Sequence, residues 1–245
     1  MSEIDETAPA PETQVPRPNA LSRIGGLLTS PADTMKDVAL RPDVLVPLII
    51  ILLGVFLSFW LITPKIDDSA TLRETLVERE MTEQQIDEVV ARMEQFKGIA
   101  AFVNPIMVFL IAILLPAAVY WVVFLAFGSQ AKFKQFLSVV LYSWMPILLR
   151  YLLLPLVLWG RSGMTTWEAQ TALRSNLGFL SSPTESPVRF AILSSIDIFT
   201  FAGLALMVIG FAAASRFSRG QAAAIVIAGY LVTIGIGAGI AAAFA

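Results

Sequence analysis

The stretch from Val44 to Thr63 reads VLVPLIIILLGVFLSFWLIT and contains no charged side chain. A bilayer core of ~30 Å needs about 20 apolar residues at helical rise. This run therefore has the length to cross one. Hydrocarbon offers no partner to a bare backbone N–H or C=O, so the run must be a helix that satisfies its own backbone. Four further runs of the same kind follow at 99–127, 136–159, 190–214 and 221–245. The pattern predicts an all-α fold: a polytopic membrane helix bundle with about five transmembrane spans and a short extramembrane helical loop.

Composition narrows what such a bundle can do. Hydrophobic residues make up 56% of the chain and charged residues 15%, which excludes an ordinary soluble domain. The net charge of −2 and the lack of a basic face argue against nucleic acid as a partner. There is no cysteine and no histidine, which removes disulfides, zinc sites, haem ligation and imidazole acid–base chemistry. No metal and no cofactor are expected. Ser58, Ser138 and Ser143 lie in or near spans without a lysine at depth to act as base, so an enzyme is not expected either.

Three regions are expected. Residues 1–20 hold four acids and four prolines and should form a disordered, acidic, Pro-rich tail. Their acidity and the late start of the first apolar run argue against a signal peptide. Residues 21–43 form a cytoplasmic juxtamembrane segment. There Ser30-Pro31-Ala32-Asp33 reads as a helix start that continues to Ala39 and stops before Arg41-Pro42. Such a helix would lie along the inner membrane surface, or the segment would be a plain linker. Residues 44–245 form the five-span membrane domain, with an outer helical loop at 64–98.

Basic residues are equally numerous on the two faces, so their density sets the orientation. The short turns near Lys132 and Lys134 and near Arg216 and Arg219 concentrate positive charge beside spans, which predicts a cytoplasmic N-terminus and an external C-terminus. In the outer loop, Thr82 and Gln85 suit a capping box, followed by Ile86, Val89, Val90, Met93 and Phe96 at helical spacing. Glu88 and Arg92 are a favourable pair four apart. Two short helices split near Arg79–Thr82 should cap the outer mouth, their charges serving solvation or a partner.

Two ionisable residues fall at membrane depth, Arg150 and Asp197. Counted from the outer ends of their runs they lie about 13 Å and about 10 Å inward at helical rise. A charge there costs roughly 2.5–3.5 kcal/mol on insertion scales, so the two should pair or share a polar cavity. The pair would either fix how two helices dock or line an ion or substrate path. Pro105, Pro116, Pro146 and Pro155 are candidate helix kinks, which shape a bundle or open a site. Gly229, Gly235 and Gly239 mark a small-residue face in the last run, suited to packing within the chain or between copies.

Arrangement and motifs together resemble a known family. Ser30-Pro31, Arg41-Pro42 and Leu45-Val46-Pro47-Leu48 lead into the first span. Phe136-Leu137-Ser138-Val139-Val140-Leu141-Tyr142-Ser143-Trp144-Met145-Pro146 follows at the third. Over residues 21–245 this resembles the bacterial branch of the Yip family, relatives of the eukaryotic Ypt/Rab-interacting proteins. The resemblance implies a five-span bundle in the bacterial inner membrane, N-terminus inside. Eukaryotic members are linked to vesicle trafficking, Rab GTPase binding and membrane shaping, although bacteria lack that machinery and no Rab-binding motif carries over. The expected function is a non-enzymatic membrane scaffold or adaptor, with the bilayer and a homo-oligomer or second membrane protein as partners. The alternative is a small transporter or permease subunit built on Arg150 and Asp197.

Overall fold

A computed structural model describes residues 19–243, so the expectation for the acidic tail lies, for residues 1–18, outside the described residues. Eleven α-helices follow in order: α1 Ala20–Thr29, α2 Pro31–Leu40, α3 Leu45–Ile62, α4 Ser69–Glu78, α5 Glu83–Ala126, α6 Phe133–Ser143, α7 Met145–Val157, α8 Thr166–Thr171, α9 Pro187–Ser195, α10 Ile198–Ser215 and α11 Arg219–Ala243. Among the described residues, strand pairing is confined to two isolated bridges, Ile66 with Met164 and Asn176 with Asp197. Among the described residues, five segments are long and apolar enough to cross a membrane: Leu45–Lys65, Pro105–Ala126, Phe133–Val157, Ile198–Ser215 and Arg219–Ala243. The protein is an all-helical polytopic membrane bundle. One end of the bundle carries Lys132, Lys134, Arg216 and Arg219 and is called the basic end below. The other, the loop end, carries α4, α8 and α9.

The third span is the axis. In α6, Phe136 and every residue from Ser138 to Ser143 are buried, as befits a helix enclosed on all sides. Helices α2, α5 and α10 pack around α6, and α3 and α10 pack on α7. The α6–α7 junction falls at Trp144, two residues before Pro146, whose missing N–H breaks the helical ladder there. Helix α10 meets this junction backbone to backbone: a Cβ on Gly203 would lie 2.7 Å from the Ser143 carbonyl oxygen. The other prolines fall differently. Pro105 and Pro116 lie inside an unbroken α5, Pro155 lies inside α7, and Pro47 sits in the first turn of α3, where no hydrogen bond is lost.

Two expectations are corrected at the periphery. The juxtamembrane segment forms two helices and is no plain linker, and α2 packs on α6 and α10. Its Met35, Val38 and Ala39 are fully buried, and Met35 fills the gap left by Gly210 of α10. Ser30 occupies the N-cap position of α2 with Pro31 following, yet its side chain makes no capping bond. Polar bonds pin the segment instead. Arg23 pairs with Asp37 at 2.7 Å, Gln135 donates to the Ala39 carbonyl at 2.8 Å, and Ser138 Oγ donates to the Asp43 carbonyl at 2.8 Å. On α1, Arg23 is buried on one face with Ala20 and Leu27, while Leu21 and Leu28 are exposed.

At the loop end, the second of the two expected short helices is not separate. Thr82 and Gln85 form the capping box, and the helix then runs 44 residues without a stop into the second span. At helical rise that is about 66 Å, twice a bilayer core, so roughly half of α5 stands beyond the hydrocarbon. Arg73 ties α4 back to it through Asp87 at 2.8 Å, and Glu88 pairs with Arg92 at 3.0 Å.

The close approach of α10 gives a direct comparison. Gly203→Ala forces a methyl against backbone and should cost about 1–3 kcal/mol, as overpacking does. Gly235→Ala adds a methyl to open space and should cost nothing measurable. Thermal unfolding of both variants in one detergent checks the difference.

Candidate functional site

The expected fourth span is not one helix. Ile196 and Asp197 leave the helical region, at φ −84° and ψ 83° and at φ −129° and ψ 132°, and separate α9 from α10. Aspartate breaks helices because its carboxylate competes for backbone N–H groups and is best used at an N-cap. Asp197 does this for α10. Its Oδ1 accepts from the Thr200 backbone N–H at 2.9 Å and faces Thr200 Oγ1 at 3.3 Å, while Oδ2 accepts from Ser175 Oγ at 2.6 Å. The carboxylate also faces the positive end of the α10 dipole. Segment 175–177 completes the break. Leu177 N–H donates to the Ile196 carbonyl and Ile198 N–H to the Ser175 carbonyl, each at 3.2 Å. Asp197 thus sits at the loop-end tip of the span-length helix α10, not seven residues inside a continuous one.

Arg150 of α7 comes close to Asp197 without joining that network. Its Nε is 3.7 Å from Asp197 Oδ2, an ion-pair distance that is too long for a hydrogen bond. The Asp197 side chain is 2% exposed and that of Arg150 23% exposed, so the acid is enclosed and the base is not. The guanidinium lies 5.9 Å from the centre of the Tyr151 ring. Among the described residues it donates no hydrogen bond.

Arg150 opens instead onto a cavity of about 1070 Å³ at the loop end. Phe59, Leu72, Met93, Phe96 and Leu154 form much of its wall, and Asp67 and Asp68 stand near the α3–α4 connection. The acids serve the fold. Asp68 accepts from the Thr166 N–H at 2.8 Å and from its hydroxyl at 2.6 Å, and Asp67 accepts from the Ser69 N–H at 3.0 Å. Toward the basic end the bundle is filled by rings. Phe109 packs edge-on against Tyr151 at 5.0 Å and Trp144 at 5.4 Å. Farther along, Phe136 stacks on Phe211 at 4.5 Å, with Phe124 against both.

The glycine face divides. Gly229 packs on Tyr120, whose ring would lie within 2.9 Å of a Cβ there and whose hydroxyl donates to the Val226 carbonyl at 2.9 Å. Gly235 and Gly239 meet nothing within 4 Å. Tyr230 of α11 donates to the Ser195 carbonyl at the end of α9. Among the described residues, no group of three or more acidic, His or Cys side chains could hold a metal ion.

Sequence reasoning missed two features. Thr200 stands three after Asp197, the spacing of an N-cap, and this signal was readable. The polar set at the basic end gave no such signal. Arg23, Asp37, Asp43, Ser138 and Tyr142 meet only through tertiary contacts, the Tyr142 hydroxyl lying 3.4 Å from Asp43 Oδ2.

This geometry weights Arg150 and Asp197 unequally. Asp197→Ala should lose about 2 kcal/mol or more, since a cap and two side-chain bonds vanish. Asp197→Asn keeps an acceptor for the Thr200 N–H and should recover much of that loss. Arg150→Ala should cost less than about 1 kcal/mol, as expected for a long, partly exposed pair. Urea unfolding of the three variants in lipid-like detergent reads the order.

Neither curated proteins nor solved structures offer a match to the chain. The Yip1 domain matches residues 25–242, from the first glycine of α1 to within the last helix. Matching nearly the whole of a bundle with five span-length helices, it places the chain in a family: this is a member of the Yip1-domain membrane proteins.

Proposed function

We propose that this protein is a non-enzymatic scaffold or adaptor of the membrane, lodged in the bacterial inner membrane with its N-terminus inside and its C-terminus outside. The observation that carries the reading is the seal between the Arg150 cavity and the basic end. Phe109, Trp144 and Tyr151 form one aromatic layer, and Phe124, Phe136 and Phe211 form a second. A permease needs a polar route past that point, and packed rings give none. Helix α2, pinned into the bundle at the same end, would hold the cytoplasmic segment in a fixed place for a partner. Ile227, Leu231, Val232, Ile236 and Ile240 of α11 are exposed and provide the face for lipid or for a second protein.

The chain has no cysteine, so single cysteines can be introduced and probed with a membrane-impermeant maleimide. Thr71→Cys and Thr166→Cys should label from the outside of intact cells. Val139→Cys and Phe211→Cys should stay unlabelled from either face in sealed vesicles. Labelling of Phe211→Cys by a soluble reagent would establish a water path and favour the permease.

A further inference from the structure

We propose that the loop-end cavity binds a single-chain anionic amphiphile, its carboxylate or phosphate head held by Arg150 and its hydrocarbon tail against Leu72, Met93 and Phe96. Three observations converge. The first is size: about 1070 Å³ is at or beyond the roughly 300–1,000 Å³ of sites for drug-sized ligands.

The second is the state of Arg150. A guanidinium has five N–H donors in a planar fork suited to a carboxylate or phosphate. Asp197 does not use them. Its oxygens are taken by Thr200 and Ser175, and it stands 3.7 Å from the nearest guanidinium nitrogen. Arg150 is the sole basic residue lining the cavity among the described residues, and it borders the space with its donors uncommitted.

The third is the separation of polar from apolar along the cavity. Tyr151, the neighbour of Arg150, stacks with Phe59 of α3, which places the cation at the level of the third span. Leu72, Met93 and Phe96 come from α4 and from the first half of α5, which stands beyond the span beginning at Pro105. Of the acids that would repel an anion, Asp67 and Asp68 follow α3 and are bonded to Ser69 and Thr166, and Asp197 is enclosed and held by Thr200 and Ser175. A cation at one end and the apolar side chains of Leu72, Met93 and Phe96 along an open wall at the other match a headgroup and a tail. An inorganic anion would leave the apolar wall unused, and a neutral hydrocarbon would leave the guanidinium's hydrogen-bond donors unused.

The test is equilibrium binding of radiolabelled palmitate to the full chain in nanodiscs of zwitterionic phosphatidylcholine. Hexadecanol and inorganic phosphate serve as unlabelled competitors. Palmitate should bind saturably, hexadecanol should compete at least tenfold more weakly than unlabelled palmitate, and phosphate at millimolar concentration should not compete. Arg150→Gln should weaken binding at least tenfold. Met93→Trp, which fills the chamber and leaves the cation in place, should do the same, while Gly235→Ala should match the parent chain. Equal binding to parent, Arg150→Gln and Met93→Trp would overturn the proposal, as would full displacement by phosphate or equal potency of hexadecanol. This readout is independent of the maleimide pattern, so the amphiphile site and the scaffold reading can fail separately.

Discussion

A helix that begins inside apolar surroundings leaves its first N–H groups without water to receive them, and something in the chain must accept. In this protein that acceptor is Asp197. Its carboxylate caps α10, and the non-helical pair Ile196–Asp197 lies against residues 175–177 with backbone bonds in both directions. From this one break the loop end takes its form. Helix α9 is released from the line of α10 and packs on α11 and on the 3₁₀ turn Leu177–Leu180. Asn176, Phe190 and Ser194 then become cavity wall, where a continuous fourth helix would hold 190–195 in its own shaft.

The two halves of the bundle are consequently different materials. Around α6 the packing is tight enough that glycines at 203 and 210 are needed to let helices approach, and rings fill the remaining space. Interiors packed this way transmit strain and exclude water. Beside Arg150 lies the cavity, and near it α4 is tied to α8 through Asp68 and Thr166 and to α5 through Arg73 and Asp87. The outer latch is made of exposed polar bonds, which cost little to open. The inner seal is made of buried hydrocarbon, which does not open cheaply.

What could be read from the chain was set by whether the cause was local. Run length alone fixes five membrane-crossing segments, and the Thr82–Gln85 box marks the start of α5 because both partners lie within one turn. Where α5 would stop was not local. Nothing between Glu83 and Ala126 ends the helix, and Pro105 and Pro116 were absorbed within it. The burial of α2 was hidden for a related reason: its small hydrophobic stripe suits a membrane surface as well as the groove at Gly210, and only the fold brings Gly210 to Met35. For Arg150 and Asp197, hydropathy indicated depth and charge indicated a partner. The partners that hold Asp197, Ser175 from a loop and Thr200 from its own helix, required knowing that the helix breaks.

Everything at the loop end rests on the fourth apolar run turning at Asp197 beside residues 175–177, and a disulfide can report that directly. Leu177 and Ile196 flank the antiparallel bridge between Asn176 and Asp197 and share one bond, from the Leu177 N–H to the Ile196 carbonyl at 3.2 Å. Residues facing each other across an antiparallel bridge hold their Cα atoms about 4.5–5.5 Å apart, within disulfide range. In this cysteine-free chain, Leu177→Cys with Ile196→Cys leaves Asp197 in place. Oxidation in native membranes should give one intramolecular disulfide in high yield, read by intact mass, and its yield should fall when Asp197 is also changed to Ala. A double variant that stays reduced under the same oxidant would mean that the run continues as one helix, and the cavity with its Arg150 end would go with the break.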